Sequence, residues 1–165
     1  MHTLCAGLTS AWSRGLAGWR RMLHMRHIFH LSIPVSDLAA ALDFYQRAFD
    51  GRIGRVEHDW VDILVWGHQI TLQHRPDEVL PTGAQGKRHF GVVLPWSEWV
   101  TAVTRLQALG IEFLEPPAVL RESTPEEQAK LFVQDPSYNV IELKAYRNVA
   151  QVLGIDDEGY RDGDG

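Results

Sequence analysis

Three side chains in this 165-residue chain have the types and spacing to hold a divalent metal: His30, His89 and Glu142. His30 stands in Phe29-His30-Leu31-Ser32-Ile33-Pro34-Val35, where Phe29, Leu31, Ile33 and Val35 alternate with the histidine, the serine and the proline. That period of two is a strand with one apolar face, and His30 falls on the other face. His89 repeats the arrangement, with Phe90, Val92 and Leu94 alternating against His89, Gly91 and Val93. In Asn139-Val140-Ile141-Glu142-Leu143-Lys144, Ile141 and Leu143 belong to the packed face and Glu142 to the open one. A carboxylate among apolar strand residues is costly to desolvate unless it is paired or metal-bound. Two imidazoles and one carboxylate with open positions left over form the facial triad of non-haem Fe(II) chemistry. Fe(II) is therefore the favoured ion, with Mn(II), Ni(II), Zn(II) and Co(II) compatible with the same ligands.

Such a triad needs strands that hold it in register. After the first strand, Ser36 and Asp37 offer helix N-caps, and Leu38, Ala41, Leu42, Tyr45 and Phe49 form a helical stripe that Gly51 stops. From Arg88 the same grammar returns: a strand, Ser97 as a cap, a stripe of Val100, Val103, Leu106 and Leu109, and a stop at Gly110. His30 to His89 and Gly51 to Gly110 both span 59 residues. Equal spacing of two equivalent landmarks indicates an internal duplication. Three further strands follow the first helix, at Arg52 to Val56, Trp60 to Trp66 and Gln69 to His74. Three follow the second, at Ile111 to Leu114, Leu131 to Gln134 and Val140 to Ala145. The fold class is α+β, two βαβββ modules at residues 26–75 and 87–147 within one domain of residues 26–147.

The flanks read differently. Residues 1–25 are basic, and no acidic residue precedes Asp37. This composition resembles a transit peptide, and it also fits an upstream extension with Met25 as the functional start, the simpler reading. Residues 148–165 are acidic and glycine-rich, expected as a frayed tail. The net charge of −5 argues against general nucleic-acid binding. No apolar run is long enough for a membrane span. Cys5 is the only cysteine, which excludes an internal disulfide and a cysteine zinc site and makes a reducing, cytoplasmic setting the default.

Other residues bear on a ligand. Trp60, Asp62 and Trp66 alternate on one face of their strand, where Trp60 and Asp62 are substrate candidates. Arg121 borders a long loop expected from Glu115 to Gln128, placed to meet a carboxylate. Tyr138, in the turn before Glu142, is a candidate acid or orienting group, with Glu142 itself the other catalytic candidate.

The segments FHLSIPVSDLAAALDFYQRAF, HFGVVL and DPSYNVIELKAY resemble the vicinal oxygen chelate superfamily, the glyoxalase, bleomycin-resistance and extradiol-dioxygenase group, in its glyoxalase-like or dioxygenase-like branch. The resemblance implies two βαβββ modules forming one open barrel around a divalent metal, with ligands at His30, His89 and Glu142, and a homodimer. It implies a metal-dependent enzyme acting on a small substrate that chelates the metal through adjacent oxygens. Dioxygenase-type oxidoreduction comes first, a glyoxalase-type lyase or isomerase second, and a metal-free bleomycin-resistance-like binder third. Some members draw a fourth ligand from the last strand of the first module. Thr71 stands at that register and Gln73 beside it, a weak ligand or substrate contact, so a four-ligand site departs from the pattern. The ring-cleaving pattern is also departed from, with Ser123, Thr124 and Pro125 where a histidine is expected and Tyr138 where glycine is usual.

Overall fold

A computed structural model describes residues 27–154. The basic leader and residues 155–165 of the tail lie outside the described residues. The chain runs β1 (His30–Val35), α1 (Leu38–Phe49), β2 (Arg52–Val56), β3 (Trp60–Val65), β4 (His68–His74), β5 (Phe90–Leu94), α2 (Trp96–Ala108), β6 (Phe113–Leu120), β7 (Gln128–Gln134), β8 (Val140–Tyr146) and α3 (Val149–Leu153). It forms two four-stranded sheets, ordered β1-β4-β3-β2 and β5-β8-β7-β6. Each module is βαβββ, as its repeated pattern predicts. The first strand pairs parallel with the last, and the remaining pairs are antiparallel.

Register explains the faces. Ser32 is level with Thr71 and Thr71 with Asp62. Gly91 is level with Glu142, and Glu142 with Phe132. The intervening residues point to the helices and are buried: Ile33, Val35, Ile63, Ile70 and Leu72 in one sheet, Leu131, Val133, Ile141 and Leu143 in the other. With Tyr45 and Phe49 from α1 and Trp99 and Leu106 from α2 they form one continuous core across both modules. The opposite faces of both sheets are left open.

Local chemistry sets the helix ends. Asp37 caps α1, accepting from the Ala39 N–H (2.8 Å) and the Ala40 N–H (3.1 Å), a cap worth about 1 kcal/mol. The turn out of α1 is made at Asp50, at φ 53°, one residue before the expected Gly51. Asp tolerates this left-handed conformation, so the helix ends without glycine. In α2 the expected cap Ser97 lies inside the helix, which starts behind Pro95 with no side-chain cap. The expected stripe holds at Leu106, which is buried, and at Val103, which packs on the core, but at its start Trp99 is buried in place of Val100, which is 48% exposed. The indole anchors the helix, Trp99 Nε1–H donating to the Leu143 carbonyl at 3.0 Å.

The strand expected to end at Leu114 runs on to Leu120, and the loop that follows begins only at Arg121. Pro116 and Pro117 do not break it, because β6 is an edge strand whose register slips on either side of Glu115. Trp66 leaves β3 at φ 53° with Gly67 at φ 77° and packs on Phe49 at 4.9 Å, off the face shared by Trp60 and Asp62. The first residues of the expected frayed tail form α3, capped by Asn148 accepting from the Gln151 N–H.

The modules are joined by buried and half-buried polar contacts. The turn between β7 and β8 reaches β1 through Asn139 Nδ2–H to the Pro34 carbonyl (3.1 Å) and through Ser36 N–H to Ser137 Oγ (2.9 Å). Asp135 in this turn accepts from the Tyr45 hydroxyl at 3.1 Å. Burial raises the Asp135 carboxyl above its ordinary pKa despite hydrogen bonds from Asn139, Ser137 and Tyr45.

Candidate functional site

His89 and Glu142 meet on the open face of the second sheet. His89 immediately precedes β5, and Glu142 lies mid-β8, level with Gly91. Gly91 is required here: a Cβ at that position would run into the Glu142 carbonyl. His89 Nε2 and Glu142 Oε2 are 3.3 Å apart, with the carboxylate side chain 12% exposed. His89 Nδ1–H donates to the Lys87 carbonyl at 2.9 Å. A neutral ring so held presents a lone pair at Nε2, the usual way a second-shell carbonyl prepares a metal-binding histidine. Two acceptors then face each other and need a cation or a proton between them. Ligands about 2.1 Å from one cation and about 90–110° apart stand roughly 3.0–3.4 Å from each other. The donor pair therefore fits a divalent metal. The second oxygen, Glu142 Oε1, is 3.3 Å from Lys144 Nζ. Phe132 packs edge-on against the His89 ring at 5.3 Å.

His30 begins β1, exposed on the open face of the first sheet. Among the described residues no three His, Cys, Asp or Glu side chains come together as a metal-binding group, so His30 does not join His89 and Glu142 within one copy. The structure brings together two of the three expected ligands.

Of the remaining residues named from sequence, Thr71, Gln73, Asp62 and Trp60 lie on the first sheet, and Tyr138 and Arg121 in turns of the second module. Thr71 is buried, its hydroxyl donating to Asp62 Oδ1 at 2.6 Å. Gln73 Nε2–H donates to the Ser32 hydroxyl on the same face. Asp62 is 2% exposed, and its other oxygen accepts from Arg55 Nε–H at 2.8 Å. Burial pushes the Asp62 carboxyl up, but hydrogen bonds from Thr71, Arg55 and Gln69 outweigh it and hold the group below its ordinary pKa. Trp60 lies under the Arg55 guanidinium, 5.1 Å from ring centroid to Cζ. Tyr138 sits at φ 63° in the turn, 42% exposed, where its carbonyl accepts from Gln134. Arg121 is exposed at the end of β6, paired with Glu126 at 2.6 Å.

Arg55, Lys87 and Lys144 escaped the sequence reading. Lys87 acts through its carbonyl, which no side-chain pattern reveals. Lys144 is separated from Glu142 by one residue in an alternating strand, and that spacing was the available signal. Next to His89 a cavity of about 330 Å³ opens between the modules, lined by Leu31, Ile33, Pro34, Leu80 and Gln85 among others.

Comparison with known proteins gives the family of the fold. The family model described as Glyoxalase/Bleomycin resistance protein/Dioxygenase superfamily matches residues 27–143. The glyoxalase domain-containing protein RDO1 of Mycosarcoma maydis is 28% identical over 152 residues, covering 86% of this chain and 84% of that protein. A glyoxalase/bleomycin resistance protein/dioxygenase from Alicyclobacillus acidocaldarius superposes with a TM-score of 0.68 at 27% identity, covering 74% of this chain and 93% of that one. The fosfomycin resistance protein FosX of Listeria monocytogenes, solved as a variant with Mn(II) and 1S,2S-dihydroxypropylphosphonic acid, shares the fold with a TM-score of 0.61 at 19% identity, covering 79% and 98%. In the described residues, no helix is long and apolar enough to cross a membrane. With its two βαβββ modules and a family match that spans both, the chain belongs to the glyoxalase/bleomycin resistance protein/dioxygenase superfamily.

Proposed function

We propose that this chain is a divalent-metal-dependent enzyme acting on a small molecule that chelates the metal through two adjacent oxygens. The observation that carries the reading is the His89–Glu142 donor pair at 3.3 Å, with His89 Nδ1–H committed to the Lys87 carbonyl. His30 is the third ligand, supplied by a second copy in a homodimer. Both sheets pack their helix sides into one core and leave their other faces open, so the face of β1 is free to cover the face of β8 in another copy.

A bound divalent ion supplies Lewis acidity toward the substrate oxygens and stabilises charge that develops on them. The protein's part is to orient and to exclude water. Lys87 fixes the His89 tautomer, Lys144 holds the free oxygen of Glu142, and Phe132 walls the site. Tyr138 and Glu142 are the candidates for exchanging protons with substrate. Fe(II) and dioxygenase-type oxidoreduction rank first, because two histidines and one carboxylate leave open positions. Lyase or isomerase chemistry with Mn(II), Ni(II), Zn(II) or Co(II) ranks second, in a cytoplasmic setting. A metal-free ligand-binding protein is the other reading, favoured by the separation of His30 from the other two ligands in one copy.

The test is metal analysis of tag-free protein beside Glu142→Ala. About one equivalent of a transition metal per chain is expected, falling at least tenfold in the variant. Iron together with oxygen consumption selects the first reaction class. Undiminished metal in Glu142→Ala overturns the ligand assignment, and protein that takes up no added Fe(II), Mn(II), Ni(II), Zn(II) or Co(II) leaves the binder.

A further inference from the structure

The open face of the first sheet carries an organised cation that neither the core nor the triad uses. Arg55 projects from the edge strand β2 with its side chain 72% exposed. It is held at its root: Nε–H donates to Asp62 Oδ2 at 2.8 Å, and the face of Trp60 lies beneath the guanidinium. Asp62 is itself fixed, because Thr71 Oγ1–H donates to Oδ1 at 2.6 Å and the carboxylate is 2% exposed. A buried carboxylate is a costly way to order one surface arginine, and both of its oxygens serve that arrangement. With Nε engaged, the two terminal nitrogens of Arg55 have no hydrogen-bond partner among the described residues. They form the free edge of a planar fork, pre-ordered before any ligand arrives.

The place of this fork follows from register. The row Ser32–Thr71–Asp62 crosses the sheet beside the row His30–Gln69–Leu64, all on the open face. Strands lie about 4.8 Å apart, so the Asp62 anchor on β3 is roughly 10 Å from the β1 strand that carries His30. Arg55 comes from β2, one strand further out, and its guanidinium turns back onto Asp62, so it shares the open face with His30.

We infer that Arg55 is the specificity-determining residue for an oxyanion on the substrate, taking a carboxylate or phosphonate on its free guanidinium edge, with Asp62 and Thr71 as positioning residues. Forked oxyanions match a guanidinium edge with two parallel hydrogen bonds. The substrate is then a metal chelator that bears a separate acidic group. That part rests on the metal-centre reading, whereas the anion contact stands without metal.

The experiment has two arms. Metal-free protein is titrated with benzoate and, separately, with phenylphosphonate, following the Trp60 indole and Arg55 Nε–H signals by NMR. A saturable shift of both signals is expected, and the Trp60 shift is lost in Arg55→Gln. The tighter of the two probes identifies the oxyanion. Mn(II)-loaded protein is then titrated calorimetrically with 3,4-dihydroxybenzoate and with catechol, which chelate alike and differ in one carboxylate. The acid is expected to bind about tenfold tighter, and this preference falls below about threefold in Arg55→Gln. In Asp62→Asn the Arg55 Nε–H signal broadens and the preference drops while the backbone spectrum stays folded. Anions that leave Trp60 unmoved, that shift it equally in Arg55→Gln, or a preference unchanged by that substitution overturn the assignment. An Arg55-dependent anion shift in protein that fails to bind Mn(II) retains this site and removes the metal centre.

Discussion

Gly91 and Asp62 show how single residues set the two open faces. At Gly91 the chain passes so close to the Glu142 carbonyl that a methyl group has no room. Gly91→Ala is expected to push β8 away from β5, costing about 1–3 kcal/mol in urea denaturation and weakening metal retention, since Glu142 moves with its carbonyl. Stability within error of wild type would show that the strand yields without cost. Asp62 carries a pH signature. Its folded carboxyl titrates below the ordinary value because hydrogen bonds favour the charged form. The folded protein therefore binds fewer protons here than the unfolded chain between the two values. The stabilisation is complete above the unfolded pKa of about 3.9 and is lost as pH falls through the lower folded value. A carbon-detected carboxyl titration should give a midpoint below that of an unstructured Asp, and Asp62→Asn should flatten the acid limb of the stability curve. A midpoint at or above the ordinary value would contradict this.

At the scale of elements, α1 is tied to the β7–β8 turn by one buried hydrogen bond, from Tyr45 to Asp135. Tyr45→Phe leaves the Asp135 oxygen short of a donor and should cost about 1–3 kcal/mol. Because that donor favours the charged form, the Asp135 pKa, already raised by burial, should rise further. A loss below about 0.5 kcal/mol would mean that the turn is held by Ser137 and Asn139 alone. Elements with a strict two-residue alternation were legible in the sequence. In β1 and β8 the buried residues Ile33, Val35, Ile141 and Leu143 belong to the expected apolar faces, since one face of each strand meets helices, whereas in β3 and β4 Asp62 and Thr71 are buried on the opposite face as well. The 59-residue repeat was borne out as two modules of one topology, and the register that matches Thr71 with Glu142 is present in both sheets. Less was legible where tertiary packing overrides pattern. Trp99 displaces Val100 from the core because its indole finds a carbonyl on β8. β6 runs through two prolines because an edge strand has one unpaired side. Arg55 was hidden for the same reason: every residue of β2 is exposed, and its partner Asp62 is fixed only by a bulged antiparallel register.

The whole molecule presents two open faces, one bearing His30, Asp62 and Arg55, the other His89, Glu142 and Lys144. Among the described residues of one copy, no third His, Cys, Asp or Glu joins the pair His89–Glu142 as a metal-binding group. Two copies related by a twofold axis would make two equivalent centres, each with His30 from one chain and the remaining ligands from the other. The most direct measurement mixes His30→Ala with Glu142→Ala protein after co-refolding and determines bound metal per dimer. Neither variant alone should retain metal, whereas the mixed dimer regains one complete centre and should bind about one metal ion. A mixed dimer that binds no more metal than its parents would contradict a centre shared between chains.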